Sequence, residues 1–147
     1  MSEMLANSYF ISRNFAKALP LFEKELQSGK DSEKIKKKLI ICYLALGRVE
    51  EAFHLFYELV SRDPDTIINT DPYWDDCPCP EMVRTFEGNR DVDMESARIS
   101  LTLGMLYLFC DLNRSIRYFE KAAMSDPKNL KLRSLLQKLK SRSTNVK

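Results

Sequence analysis

The stretch Asp71–Met82, DPYWDDCPCPEM, gathers the side chains most able to do chemistry: two of the four cysteines, three aspartates, a glutamate and the one tryptophan. Metal binding is the first chemistry to weigh. Cys77 and Cys79 are separated by a single residue, whereas paired zinc cysteines usually stand two to four residues apart. No second Cys pair or His pair completes a ligand set, and His54 is the only histidine. A Cys77–Cys79 disulfide would close a very tight ring. The plain expectation is two small side chains in a proline-stiffened loop, with no metal. Asp71, Asp75, Asp76 and Glu81 lack the alternating ligands and the glycine of a calcium loop, so a solvated acidic loop is expected. The same two cysteines leave a third use open, as a redox or metal sensor.

Catalysis finds little support elsewhere. A lone histidine without a nearby Ser or Cys partner makes no nucleophile–base pair. Phosphate-binding, dinucleotide-binding and metalloprotease motifs are absent from the sequence, so neither enzyme activity nor a cofactor is expected. The chain of 147 residues carries a net charge of +2, which selects no class of partner. No apolar run approaches the roughly 20 residues that span a bilayer, so no membrane association is expected. The opening MSEMLANSYF lacks a basic and then continuously apolar region, so no signal peptide is expected. Cys42 and Cys110 sit in apolar helical patterns, and a reducing, cytoplasmic home is the expectation.

The elements around the cysteine stretch repeat. Displaced by 34 residues, Leu5 falls on Leu39, Tyr9 on Tyr43, Ala18 on Ala52 and Phe22 on Phe56. A further copy runs through Leu103, Gly104, Tyr107, Phe119, Ala122 and Pro127. Each copy reads as two helices. Leu39, Ile40, Tyr43, Leu44 and Leu46 recur at helical spacing, and Gly47 suits the left-handed residue that ends a helix. A second helix through Ala52, Phe53, Leu55, Phe56 and Leu59 stops before Pro64. Pro20 should kink the second helix of the first copy or delay its start. The third copy has an inter-helix turn one residue short: Tyr107 to Ser115 is eight residues, against nine from Tyr43 to Ala52.

This pattern resembles the tetratricopeptide repeat. The match rests on Leu5, Ala6, Tyr9, Ala18 and Phe22; on Leu39, Tyr43, Ala52, Phe56 and Pro64; and on the third set above. The resemblance implies an all-α superhelix of helical hairpins in one domain. Repeat 1 covers about 2–30, repeat 2 about 33–64 and repeat 3 about 97–127. A single hairpin cannot bury its apolar face alone, so the last one needs a cover. Residues 128–142 supply it, with Leu132, Leu135, Leu136 and Leu139 on one stripe.

Residues 65–95 have no repeat register and read as an irregular insertion, longer than the usual connection of about 4–6 residues. Within it, PEMVRTFEG suits a short helix with Pro80 at its start and Gly88 at its end. Trp74 is expected to fold back against repeat 2 or 3, which would make the insertion a plug or a recognition element.

The resemblance also implies that first helices line a concave groove for a peptide or helix of a partner. By register the groove positions are Glu3, Asn7, Phe10 and Ile11; Lys34, Lys37, Ile41, Leu44 and Ala45; and Arg98, Leu101, Met105, Leu108 and Phe109. The carboxylate clamp of the chaperone-binding members fits only Asn7 and Arg98, since Glu3 and Ile41 replace the expected Lys and Asn. An apolar inner face of Phe10, Ile41, Leu44, Met105, Leu108 and Phe109 is expected instead. Such a face would take an apolar segment of another protein or of a second copy. The alternative is RNA binding through Lys34–Lys38 and the basic C-terminal helix, although those residues lack interleaved exposed aromatics.

Overall fold

The structure, a computed structural model, describes residues 2–29, 32–71, 77–89 and 96–144. The described residues form nine helices and no strand, so the protein is all-α. The chain forms two compact units, Met1–Phe56 and Tyr57–Lys147.

The first unit holds α1 (Ser2–Ile11), α2 (Phe15–Gln27), α3 (Glu33–Ala45) and the beginning of α4 (Val49–Arg62). Both of its tight turns follow a tyrosine. The Tyr9 carbonyl accepts from the Asn14 amide at 2.8 Å, and the Tyr43 carbonyl from the Arg48 amide at 2.8 Å. Each such closure needs one left-handed residue. Gly47 provides it at φ 77°, and Arg13 does so in the first copy at φ 65°. Side chains start the helices: Asn14 accepts from the Lys17 amide and Ser32 from the Ile35 amide. Pro20 lies inside α2, which begins at Phe15 without delay, and the ring sits on the exposed side. Ala6, Phe10, Ala18, Leu19, Phe22, Leu39 and Ile40 are buried.

The second unit adds α5 (Asp65–Ile68), α6 (Cys79–Gly88), α7 (Ala97–Leu108), α8 (Leu112–Ser125) and α9 (Leu130–Thr144). The α7–α8 turn is closed by the Asp111 amide on the Tyr107 carbonyl at 2.6 Å, one residue sooner than its counterparts and with no left-handed residue. Close packing follows from Gly104. Ser115 Oγ donates to the Gly104 carbonyl at 2.6 Å, and the Phe119 ring lies where a Gly104 Cβ would stand. The α9 stripe Leu132, Leu135, Leu136 and Leu139 is buried. The helix is held at its edges by Lys140 on Glu120 at 2.8 Å and Arg142 on Asp65 at 2.6 Å.

The insertion is partly helical. α5 supplies one turn, and α6 has Pro80 in its first turn and ends at Gly88. Displaced by 64 residues, Leu19 falls on Val83, Phe22 on Phe86, Glu23 on Glu87 and Tyr43 on Tyr107. α6 packs on α7 as α2 packs on α3.

Candidate functional site

The apolar groove positions are not a surface. Phe10, Ile41, Leu44, Met105, Leu108 and Phe109 are all buried. The reason is visible in α3 and α7, where Leu39–Leu44 and Thr102–Leu108 are buried without interruption. A helix apolar on all sides is enclosed on all sides. Among the remaining positions Ile11, Lys34 and Arg98 are exposed, while Asn7 and Lys37 are half-buried. Asn7 Oδ1 accepts from Lys38 Nζ at 2.7 Å. Lys36, in the middle of the lysine run, is buried.

What the fold assembles instead is a recurrent polar joint between consecutive hairpins. In the first unit, the Tyr43 hydroxyl on α3 donates to Glu23 Oε2 on α2 at 2.7 Å. The Arg48 guanidinium lies 5.0 Å over the Tyr43 ring and forms a two-pronged pair with Glu51, both contacts at 2.7 Å. In the second unit, the Tyr107 hydroxyl on α7 donates to Glu87 Oε1 on α6 at 2.6 Å, with Arg114 5.7 Å from the Tyr107 ring. Tyr118 stacks on Tyr107 at 5.5 Å and donates to the other oxygen of Glu87. Burial first, then the glutamate hydrogen bond, pushes the Tyr43, Tyr107 and Tyr118 hydroxyls up, so all three remain protonated donors at neutral pH. The Glu120–Lys140 pair joins α8 to α9 in the same way, with lysine replacing tyrosine. In all three joints the glutamate follows a phenylalanine and stands 20 residues before its partner.

Tyr9 is the first tyrosine of the series, and its site is incomplete. Lys17 Nζ lies 5.6 Å over its ring, in the role of Arg48 and Arg114. Among the described residues its hydroxyl has no hydrogen-bond partner. The apolar neighbours agree. Leu39 and Leu103 are 1% and 0% exposed, whereas their counterpart Leu5 is 48% exposed. Met4 and Ile11 on the same helix are also exposed. The signal missed in the sequence was the Phe-Glu pair itself, present at Phe22-Glu23, Phe86-Glu87 and Phe119-Glu120.

The cysteines also differ from expectation. Cys77 and Cys79 are joined in a disulfide, with their Cα atoms 5.4 Å apart. The turn at Pro78, immediately before α6, brings them to a distance a disulfide can span. In that state neither sulfur is a thiolate available to a metal. Cys42 is buried, and that burial pushes its thiol up to about 12, aided by Glu23. Thiol titration of the unfolded, unreduced protein should therefore count two groups, Cys42 and Cys110, and four after reduction. A count of four before reduction would contradict the bond. Trp74 lies outside the described residues.

Basic groups in the second unit are mostly engaged within it. Lys131 lies 5.6 Å over the Tyr57 ring, Lys138 donates to the Ser61 carbonyl, and Lys140 and Arg142 hold Glu120 and Asp65. A surface cleft of about 480 Å³ is lined by Arg114, Arg117 and Lys121, but Tyr118 and the carboxylate of Glu87 share it. No described helix is long and apolar enough to cross a membrane. No protein-family model matches the chain, and no curated protein matches it.

Proposed function

We propose that this chain is a protein-interaction module of the tetratricopeptide type, which engages a helical segment of another protein through α1. The observation that carries this reading is the exposure of Leu5, whose counterparts Leu39 and Leu103 are buried. Met4, the residue before Leu5, is also exposed, and large apolar side chains presented together on a helix favour a partner. The contact is thus made by one helical face of α1. The inner positions of α3 and α7 are core.

The RNA reading has less behind it. Four cations of α9 are occupied by groups of their own unit, and the lysine run of α3 has a buried member. A nucleic-acid surface needs cations presented together with accessible aromatic faces.

The test compares captures from an extract of the source cells. The bait is the wild-type chain, a Leu5→Glu variant, and a Met124→Glu control at another exposed position. Wild type and control should retain a common protein that Leu5→Glu loses, with unchanged circular dichroism in all three. Identical captures from the wild type and Leu5→Glu would refute docking on α1.

A further inference from the structure

The chain specifies the kind of helix that its open face takes. Each of the other two tyrosines of the series has two polar neighbours: a cation over the ring from the turn or helix that follows, and a glutamate on the hydroxyl from the helix that precedes. Tyr43 has Arg48 and Glu23; Tyr107 has Arg114 and Glu87. Tyr9 has its cation, Lys17, and no carboxylate among the described residues.

The helices that supply the glutamate share a pattern. Leu19, Phe22 and Glu23 on α2 correspond to Val83, Phe86 and Glu87 on α6, and to Ile116, Phe119 and Glu120 on α8. An aliphatic residue and a phenylalanine three apart share one helix face, and the adjacent glutamate lies at its edge. The edge position lets the carboxylate reach a hydroxyl or ammonium on the neighbouring helix while its other side stays wet.

We infer that α1 binds an amphipathic helix of a partner protein that carries aliphatic-x-x-Phe-Glu. Its apolar pair covers Leu5, and its glutamate accepts a hydrogen bond from the Tyr9 hydroxyl. Partner and module would then be joined as α2 joins α3. A second copy of this chain is a poor occupant, because the Glu23, Glu87 and Glu120 carboxylates are already engaged. The inference rests on the interaction-module reading and adds the partner's chemistry to it.

The experiment uses the full chain and a fluorescein-labelled peptide with the sequence of residues 15–27, capped at both ends, with Pro20 replaced by alanine to favour helix. Fluorescence polarisation should show saturable binding. Replacing the peptide's glutamate at position 23 by glutamine should weaken it roughly tenfold, the usual scale for losing one hydrogen bond to a charged group. Tyr9→Phe in the protein should weaken the parent peptide by a similar factor. It should have little further effect on the glutamine peptide, because both changes remove one interaction. Leu5→Glu should abolish binding of either peptide.

Absence of peptide binding, or Tyr9→Phe binding both peptides as the wild type does, would overturn this inference. It would leave the capture experiment on Leu5→Glu to decide the broader reading. Sedimentation supplies the other arm. A mass that rises with concentration and falls back to that of one chain in Leu5→Glu would make a second copy the occupant, and would also overturn it. Thermal unfolding of Tyr9→Phe should match the wild type, since this hydroxyl holds nothing in the described fold.

Discussion

Replacing Gly104 by leucine should cost more than about 3 kcal/mol, at or beyond the upper end of ordinary overpacking. A Cβ at this position would meet Cδ1 and Cε1 of Phe119 at 2.8 Å and Cγ at 3.0 Å. The Phe119 ring is 0% exposed, so it can move aside only within the packed interior. Sliding α8 away would stretch the Ser115 Oγ bond to the Gly104 carbonyl, now 2.6 Å, and strand a hydroxyl that is itself fully buried. Alanine is the more discriminating substitution. Helix propensity favours it over glycine by about 1 kcal/mol. The clash works in the opposite direction by about 1–3 kcal/mol, so the net change should be destabilising. A further change of Phe119 to leucine should recover part of the Gly104→Ala loss, because it removes the atoms that the new methyl meets. Urea denaturation followed by far-ultraviolet circular dichroism gives the comparison. A Gly104→Ala variant as stable as the wild type would contradict the tight contact of Gly104 with Phe119.

The helical hairpins were legible in the sequence because their strongest marks are large side chains at fixed places. Phe22, Phe56 and Phe119 are all 0% exposed, and Gly47 is the left-handed residue that its position demanded. The surface was harder to read. Assigning α3 and α7 an inner face treated them as amphipathic, although runs such as LIICYL and LGMLYL are apolar all round. Their uniform composition, taken alone, already pointed to enclosure. The joints were hidden for another reason. They link one copy to the next across 20 residues, so a comparison at 34 residues set Glu23 against Tyr57 and made it look like unconserved surface within the chain. The likeness of α6 to α2 escaped because the spacing from Tyr43 to Tyr107 is 64 residues and not twice 34.

Phe10 and Ile11 are adjacent, and both were read as groove lining, but truncating them should have unequal outcomes. Phe10→Ala should destabilise by about 3–5 kcal/mol, as for other fully buried aromatic rings. The ring is 1% exposed, and it meets Phe15 and Phe22 edge-on at centroid distances of 5.7 and 6.0 Å. Such pairs add about 0.5–1.5 kcal/mol to the area they bury. Lys38 Nζ lies 5.7 Å from the centre of the same ring while it donates to Asn7, so loss of the ring also removes a neighbour of that ammonium. Ile11→Ala should change stability by no more than about 0.5 kcal/mol, because its side chain is 56% exposed. Neither change should disturb a partner on the Leu5 and Tyr9 face: the Phe10 ring faces inward, so Phe10→Ala should bind normally wherever it remains folded, and Ile11 lies about 120° around the helix from Leu5. Equal and small stability effects at both positions would return Phe10 to the surface. With it would go the account of α1 as a helix with one face committed to Phe15 and Phe22 and the opposite face open to a partner.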